Sequence, residues 1–196
     1  GFGVVDFDPG PGVTNLTSVG SYDVFVQKMD ALGNFLWAKR IGGTGDDYGR
    51  GVSVDASGNV YVTGYFSGTV DFNPGAGVLN LTSGGDTDLF TLKLDTNGNF
   101  VWAKRTGGTS YEISFGIAVD ASGNTYTTGT FNGTIDFDPG PGVSNLTAVS
   151  QSDVFIAKLD VNGNFVWAKN IGGTASDIGY GICVDASGNV YTTGEF

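Results

Sequence analysis

A repeat of 65 residues constrains the fold of this 196-residue chain more than any other feature. Trp37, Trp102 and Trp167 stand 65 residues apart, and residues 6–70 align with residues 71–135 without a gap and with 38 identities. Units of this kind bury a core by stacking on their neighbours. We therefore divide the chain, taken as one segment 1–196, into repeats 6–70, 71–135 and 136–196, the third being incomplete.

Within each repeat, apolar and polar residues alternate with the period of β-strands rather than of helices. Four strands, named a to d in order, are predicted at residues 51–55, 59–64, 88–95 and 99–105. The sequence Asp-x-x-Gly-Asn follows strands a and c, twice per repeat and six times in all. It predicts a type I turn in which glycine takes the left-handed conformation. Each repeat thus contains two hairpins.

Strand c carries apolar side chains on both faces, with Leu89 on one and Phe90, Leu92 and Leu94 on the other. Blades stacked around an axis bury both faces of their strands, whereas a sandwich strand with a solvated face alternates more cleanly. We predict an all-β fold, a β-propeller of four-stranded antiparallel blades. About three blades are present, and propellers have roughly four to eight. We expect a ring of about six to eight blades, completed by the same longer chain or by other copies.

Two stretches of the repeat resemble a known family. Residues 55–64, Asp-Ala-Ser-Gly-Asn-Val-Tyr-Val-Thr-Gly, and residues 34–43, Asn-Phe-Leu-Trp-Ala-Lys-Arg-Ile-Gly-Gly, resemble the bacterial β-propeller repeat called SBBP. The resemblance covers all three copies. It implies a large secreted or cell-surface protein of bacteria, without assigned chemistry.

Composition argues against several functions. The net charge of −11 repels phosphate backbones, so nucleic acid is excluded as a partner, and apolar stretches are too short to insert into a membrane. The chain has no histidine and a single cysteine, Cys183, which we place in the core as a small residue of strand a. These absences argue against an enzyme; a polysaccharide-active enzyme built on the adjacent acids Asp46 and Asp47 is the least favoured alternative.

The loops between strands b and c and between d and a share one face of the predicted blades. The b–c connections are long and contain all five prolines, and the d–a segments 44–50, 109–115 and 174–180 differ between copies while their flanks match. Variable loops on a rigid scaffold are typical of binding surfaces, although loops in repeats also drift without function. The candidate ligand-binding residues are Asp46, Asp47, Tyr48, Arg50, Tyr111, Glu112, Asp177 and Tyr180.

The favoured function is a non-catalytic binding or scaffold module of a secreted or cell-surface bacterial protein, acting in adhesion, display or protein–protein contact. The alternative is a lectin-like propeller that binds glycan through the same face. Partners are therefore a protein or a glycan at the cell surface.

No cofactor is predicted, with calcium as the alternative. Asp136 and Asp138 lie on one side of an extended segment and offer carboxylate oxygens, although two ligands are few and a turn cap before Pro-Gly explains them as well. The three Trp side chains of strand d are expected to pack against the next blade rather than to form a sugar platform.

Overall fold

The computed structural model describes residues 3–149 and 151–196. All secondary-structure elements of these residues are β-strands, which confirms the all-β prediction. Among these residues there is no helix long and apolar enough to cross a membrane. In chain order the strands are β1 (Val4–Asp6), β2 (Asn15–Thr17), β3 (Val24–Met29), β4 (Phe35–Gly43), β5 (Asp47–Val54), β6 (Val60–Phe66), β7 (Thr69–Asp71), β8 (Asn80–Thr82), β9 (Asp88–Leu94), β10 (Phe100–Thr106), β11 (Glu112–Val119), β12 (Thr125–Phe131), β13 (Thr134–Asp136), β14 (Asn145–Thr147), β15 (Asp153–Leu159), β16 (Phe165–Ile171), β17 (Ile178–Val184) and β18 (Val190–Glu195).

Two four-stranded antiparallel sheets form complete blades. Strands β5, β6, β9 and β10 are strands a to d of the first, and β11, β12, β15 and β16 are those of the second. Strands β3 and β4 supply c and d of a preceding blade, and β17 and β18 supply a and b of a following one. This strand order confirms the predicted propeller blades.

The b–c connections, predicted as long loops, contain regular structure. Each folds into a short hairpin, β1–β2, β7–β8 or β13–β14. Strand β7 also pairs with the end of β4, and Val70 and Phe72 of this connection are buried in the core. The connection is ordered because it pairs with the preceding blade and places apolar side chains in the core between blades.

Aromatic side chains pack both within blades and between them. Phe66, Phe72 and Phe90 form a three-ring cluster in the first blade, with centroid distances of 5.0 to 6.5 Å. Trp37 packs against the next blade as predicted, and its Nε1 donates a hydrogen bond of 3.2 Å to the carbonyl of Thr96. Strands β5, β11 and β17 contact one another in turn, so strand a of each blade lies nearest the common axis.

The predicted burial of Cys183 is wrong. Its thiol is exposed, whereas Ala118, at the same position of the preceding repeat, is buried. The reason is its place in the stack: β11 lies between β5 and β17, while β17 contacts a neighbouring strand a on one side only among the described residues.

All six Asp-x-x-Gly-Asn turns form as predicted. In the turn between β9 and β10, Oδ1 of Asp95 accepts the backbone N–H groups of Asn97 and Asn99, both at 2.8 Å. Gly98 takes a φ of 76° there, and the corresponding glycines of the other five turns have φ between 78° and 84°. These hydrogen bonds, the one from Asn99 first, hold the pKa of Asp95 below its usual value.

Gly98→Ala tests this turn and the packing between blades together. A left-handed alanine costs about 1–2 kcal/mol, and a Cβ at this position would lie 3.1 Å from the Trp37 ring. The matched control is Gly33→Ala, since Gly33 has φ of 84° at the same repeat position but nothing within 4 Å. Urea unfolding is expected to show a larger loss of stability for Gly98→Ala. Equal losses would mean that the Trp37 contact contributes nothing.

Candidate functional site

The variable d–a segments are not loops throughout, which corrects the sequence-based interpretation. Strands β5 and β11 begin at Asp47 and Glu112, so most of segments 44–50 and 109–115 belongs to strand a. Strand a is long because it stays paired with strand b as far as the pair Asp47–Phe66. Tyr48, Arg50 and Tyr180 therefore project from a sheet.

Three of the candidate ligand residues are structural acids. Asp47, Glu112 and Asp177 occupy the same repeat position, and all three are buried. Each accepts the backbone N–H of the glycine four residues earlier, at 2.7, 3.3 and 2.9 Å respectively. They lie where one blade passes to the next, and their burial places these three candidate ligand-binding residues beneath the surface rather than on it.

A second buried acid stands beside each of these, at the start of strand c. In the complete blades it is Asp88 or Asp153, both fully buried, and Asp88 forms an ion pair with Arg105. A Cβ on Gly107 would lie 2.7 Å from Oδ1 of Asp88 and 2.8 Å from Oε2 of Glu112. The glycine is required because two carboxylates occupy the space that a side chain would take.

Burial shifts the ionisation of these acids toward the neutral form. It raises the pKa of Asp47 to about 6 and, with a smaller contribution from the nearby Asp88, that of Glu112 to about 7. Burial also raises the pKa of Asp88, against the opposing effect of its hydrogen bonds and of Arg105. One oxygen of each of these three carboxylates has no hydrogen-bond partner. A buried negative charge on such an oxygen is unfavourable, and protonation of the carboxylate removes it.

Next to these acids, a partly exposed line of five rings and one cation crosses the inner strands. We call it the aromatic row. Its members come from three blades and from the segment before β3: Tyr22, Tyr48, Arg50, Tyr65, Phe115 and Tyr180.

Contacts within the aromatic row are continuous. The Tyr48 ring lies 5.3 Å from Tyr22 and 4.9 Å from Tyr65 between centroids. The guanidinium of Arg50 lies 5.2, 5.3 and 6.0 Å from the centroids of Tyr48, Tyr65 and Phe115, and its Nη2 donates a 2.8 Å hydrogen bond to the Tyr65 hydroxyl. Such contacts order a side chain that solvent would otherwise leave mobile.

Acidic residues lie beside the row, Glu195 at its Tyr180 end and Asp46 near Tyr48. The rings of Phe115 and Tyr180 are 5.3 Å apart, and the Tyr180 hydroxyl donates to Glu195 at 3.4 Å. Partial burial, with a contribution from Asp46, raises the pKa of Tyr48, and partial burial with Glu195 raises that of Tyr180. The row is thus a ring-lined surface with one cation and acidic flanks.

The structure brings together three of the eight candidate residues, Tyr48, Arg50 and Tyr180. Asp46 and Tyr111 are exposed in the short segments just before strand a. Tyr22, Tyr65 and Phe115 were missed. Phe115 could have been found, because it occupies the repeat position of Arg50 and Tyr180.

The carboxylates considered for calcium have local partners. Oδ1 of Asp136 accepts the backbone N–H groups of Asp138 and Ser144 at 3.0 and 2.7 Å, and Oδ1 of Asp138 accepts that of Gly140 at 2.7 Å. Across the residues described, no group of three or more Asp, Glu or Cys side chains is placed to hold a metal ion. The turn-cap interpretation accounts for both residues.

Comparison with protein families decides the repeat type. The model of the SBBP β-propeller repeat matches residues 36–66 and 166–195. The chain carries SBBP β-propeller repeats. Each match runs from strand d through strand a into strand b. It therefore includes two adjacent glycines at the end of strand d, Gly42-Gly43 or Gly172-Gly173, together with the buried acid of strand a and an Asp-x-x-Gly-Asn turn.

Two curated proteins are similar over most of the chain. An uncharacterised WD repeat-containing protein of Acanthamoeba polyphaga mimivirus is 31% identical over 186 residues, which is 87% of this chain and 13% of that protein. Regulatory protein FlaEY of Caulobacter vibrioides is 29% identical over 145 residues, 74% of this chain and 15% of that protein. The chain spans a small part of either. SBBP repeats and a WD-repeat relative support a repeat-built scaffold for protein interaction.

The raised pKa of Glu112 predicts a pH dependence of stability. An acid with a higher pKa in the folded state binds a proton on folding, so its contribution is complete below the unfolded value of 4.5 and declines as pH rises through about 7. Glu112→Gln removes this titration, and its amide can donate to Asp88. We expect the slope of unfolding free energy against pH between 4.5 and 7 to flatten, with a gain of about 1–3 kcal/mol at pH 8.

The matched control for this experiment is Asp86→Asn, an exposed acid that should leave the slope unchanged. Urea unfolding at a series of pH values measures both variants. An unaltered slope in Glu112→Gln would mean that Glu112 is ionised in the folded protein at neutral pH.

Chelation tests the calcium alternative directly. Because backbone N–H groups already engage Asp136 and Asp138, EDTA is expected to leave the melting temperature unchanged. A drop that added Ca²⁺ reverses, and that Asp136→Asn abolishes, would instead establish a site there.

Proposed function

We propose that this chain is a non-catalytic binding and scaffold module of a secreted or cell-surface bacterial protein, serving adhesion, display or protein–protein contact. The observation that carries the proposal is the aromatic row, a partly exposed, pre-ordered surface of five rings and Arg50 that crosses three blades. Tyr and Arg side chains supply most of the binding energy at many protein interfaces.

A protein partner is favoured over a glycan by the way the rings are used. Tyr48 already stacks between Tyr22 and Tyr65, and Arg50 covers the rings of Tyr48 and Tyr65. A sugar ring binds best on an open aromatic face, so few such faces remain. Ring edges, hydroxyls and the remaining guanidinium N–H groups suit apolar side chains and backbone carbonyls of a polypeptide.

A lectin-like propeller remains the second candidate, because Tyr22 and Tyr180 at the two ends of the row are the most exposed rings.

No catalytic role is proposed. The acids beside the row serve the blade junctions, and each already accepts a hydrogen bond from the backbone. A polysaccharide-active enzyme would need two carboxylates facing a substrate instead.

Binding measurements on three variants test the proposal. A partner captured from a bacterial surface extract would be purified and titrated by calorimetry against the wild-type chain, Tyr48→Ala and Arg50→Ala. Loss of a central interface residue is expected to weaken binding about tenfold or more. Tyr111→Ala is the matched control, because Tyr111 is an exposed tyrosine outside the ring contacts of the row.

Two outcomes would count against the proposal. Equal affinities of Tyr48→Ala and Tyr111→Ala would exclude the aromatic row as the interface. Saturable binding on a glycan array that Tyr180→Ala abolishes would favour the lectin. Surface labelling of intact cells tests the location separately, since recovery only from the cytosol would contradict export.

A further inference from the structure

The chain contains three Asn-Gly pairs, Asn97-Gly98, Asn132-Gly133 and Asn162-Gly163. An asparagine before glycine is chemically labile, because the missing Cβ lets the glycine nitrogen approach the asparagine carboxamide and close a ring on it. The first and third pairs lie at the same repeat position, in the turns between strands c and d. The second pair forms the short link between β12 and β13, so its surroundings differ.

The glycine nitrogens of the two turn pairs are held in hydrogen bonds. Gly98 donates its N–H to the carbonyl of Asp95 at 3.0 Å, and Gly163 donates to the carbonyl of Asp160 at 2.9 Å. Ring closure on the preceding asparagine would have to break this hydrogen bond, and with it the turn that joins strands c and d. The fold therefore protects these two pairs.

The glycine nitrogen of the link is not held in this way. In the preceding copy the equivalent glycine, Gly68, donates its N–H to the hydroxyl of Ser83 at 2.9 Å. The residue that corresponds to Ser83 here is Ala148, which has no hydroxyl. No other described residue accepts the N–H of Gly133, so this nitrogen is free to react.

The carboxamide of Asn132 is free as well. Its repeat equivalent, Ser67, accepts the backbone N–H of Asp46 at 3.0 Å, whereas the Asn132 side chain has no hydrogen bond to any described residue. Asn132 is also only partly buried, so water has access to it. Both reacting groups of this pair are thus unengaged and adjacent.

We propose that Asn132 is a site of spontaneous deamidation and isoaspartate formation. The nitrogen of Gly133 attacks Cγ of Asn132, so that a new N–Cγ bond forms and the Cγ–Nδ2 bond breaks. Ammonia leaves with the proton of the Gly133 N–H, and a succinimide ring remains. Water then opens this ring at one of its two carbonyls, which gives either aspartate or isoaspartate.

The fold gives this modification a structural consequence. Phe131 and Ile135, on the two sides of the link, are at most 1% exposed and belong to one core cluster with Phe137 and Phe155. Isoaspartate adds a methylene group to the main chain, so the link would have to lengthen between two anchored side chains. We expect isoaspartate at this position to destabilise the blade more than aspartate does.

Peptide mapping of aged protein tests the site. The intact chain is held in warm, mildly alkaline buffer, and tandem mass spectrometry follows aspartate and isoaspartate at each Asn-Gly pair. Asn132 is expected to convert about tenfold faster than Asn97 or Asn162, because a backbone hydrogen bond must break first at those two. Equal rates at the three pairs would overturn the proposal.

The same measurement in urea separates the fold from the local sequence. In the unfolded chain the three rates are expected to converge, because the hydrogen bonds of Gly98 and Gly163 are lost there. An Asn132 that still reacted about tenfold faster in urea would contradict the proposal, since the residue after the glycine would then set the rate.

Ala148→Ser tests the cause. It restores the hydroxyl that accepts the glycine N–H in the preceding copy, and it is expected to slow conversion of Asn132 about tenfold. The matched control is Ala76→Ser, the same substitution at an exposed position of the b–c connection in the first complete blade, which should leave the rate unchanged. An unaltered rate at Asn132 in folded Ala148→Ser would contradict control by the free N–H.

Unfolding of the aged protein tests the consequence. Ion-exchange chromatography isolates chains that have gained one negative charge, and the fraction with isoaspartate at residue 132 is expected to unfold at lower urea than fresh protein. Asn132→Asp carries the charge without the extra methylene, so its midpoint should lie closer to that of the wild type. Equal midpoints for the isoaspartate fraction and fresh protein would contradict the expected loss of stability.

Discussion

Two buried carboxylates, Asp88 and Glu112, meet around Gly107 where the two complete blades join, and the rest of the structure depends on this junction. Asp88 is the first residue of strand c of one blade, and Glu112 is the first residue of strand a of the following blade. The contact between these two carboxylates therefore fixes the positions of both strands. Burying two acids side by side is unfavourable unless hydrogen bonds and protons compensate. Backbone N–H groups, Arg105 and the raised pKa values supply that compensation.

The junction also explains why the repeat tolerates change in some places only. The third copy has Asn170 where the others have arginine, and Asn170 Nδ2 still donates to Asp153 at 3.0 Å. A neutral donor replaces a cation there, so all three copies keep a hydrogen-bond donor to this acid, while only two keep the positive charge. The glycine beside it cannot change, because a Cβ on Gly172 would collide with the carboxylate of Asp153.

Sequence reasoning succeeded where the signal is local. Period-two patterning and the Asp-x-x-Gly-Asn turns predict hairpins, and the invariant spacing predicts their stacking, because each depends on neighbours in the chain. The buried acids were misread because Asp47 and Glu112 differ in type and are surrounded by dissimilar residues. Comparing charge rather than identity at this repeat position would have shown an acid in all three copies.

The aromatic row was only half visible to sequence reasoning because its members come from four different repeat positions. Tyr22 precedes strand c and Tyr65 lies on strand b, so only the closed blade brings them beside Tyr48. The burial of Cys183 failed for a related reason: a repeat position defines burial only if a neighbouring blade covers it. The missed rings Tyr22 and Tyr65 belong to the same repeat as Tyr48 but are distant from it in the chain, whereas the Cys183 miss concerns a contact between repeats.

Strand a combines a fixed interior with a variable exterior, and this division suits a scaffold. Asp47, Glu112 and Asp177 keep the junction, while Arg50, Phe115 and Tyr180, three residues further along, share one repeat position and differ completely. Because successive a strands are adjacent, these three side chains touch in sequence and form the spine of the aromatic row. Substitution at one exposed position therefore changes a continuous surface while the acids that hold the blades stay in place. A repeat can thus acquire an asymmetric binding surface without losing the junction that stabilises it.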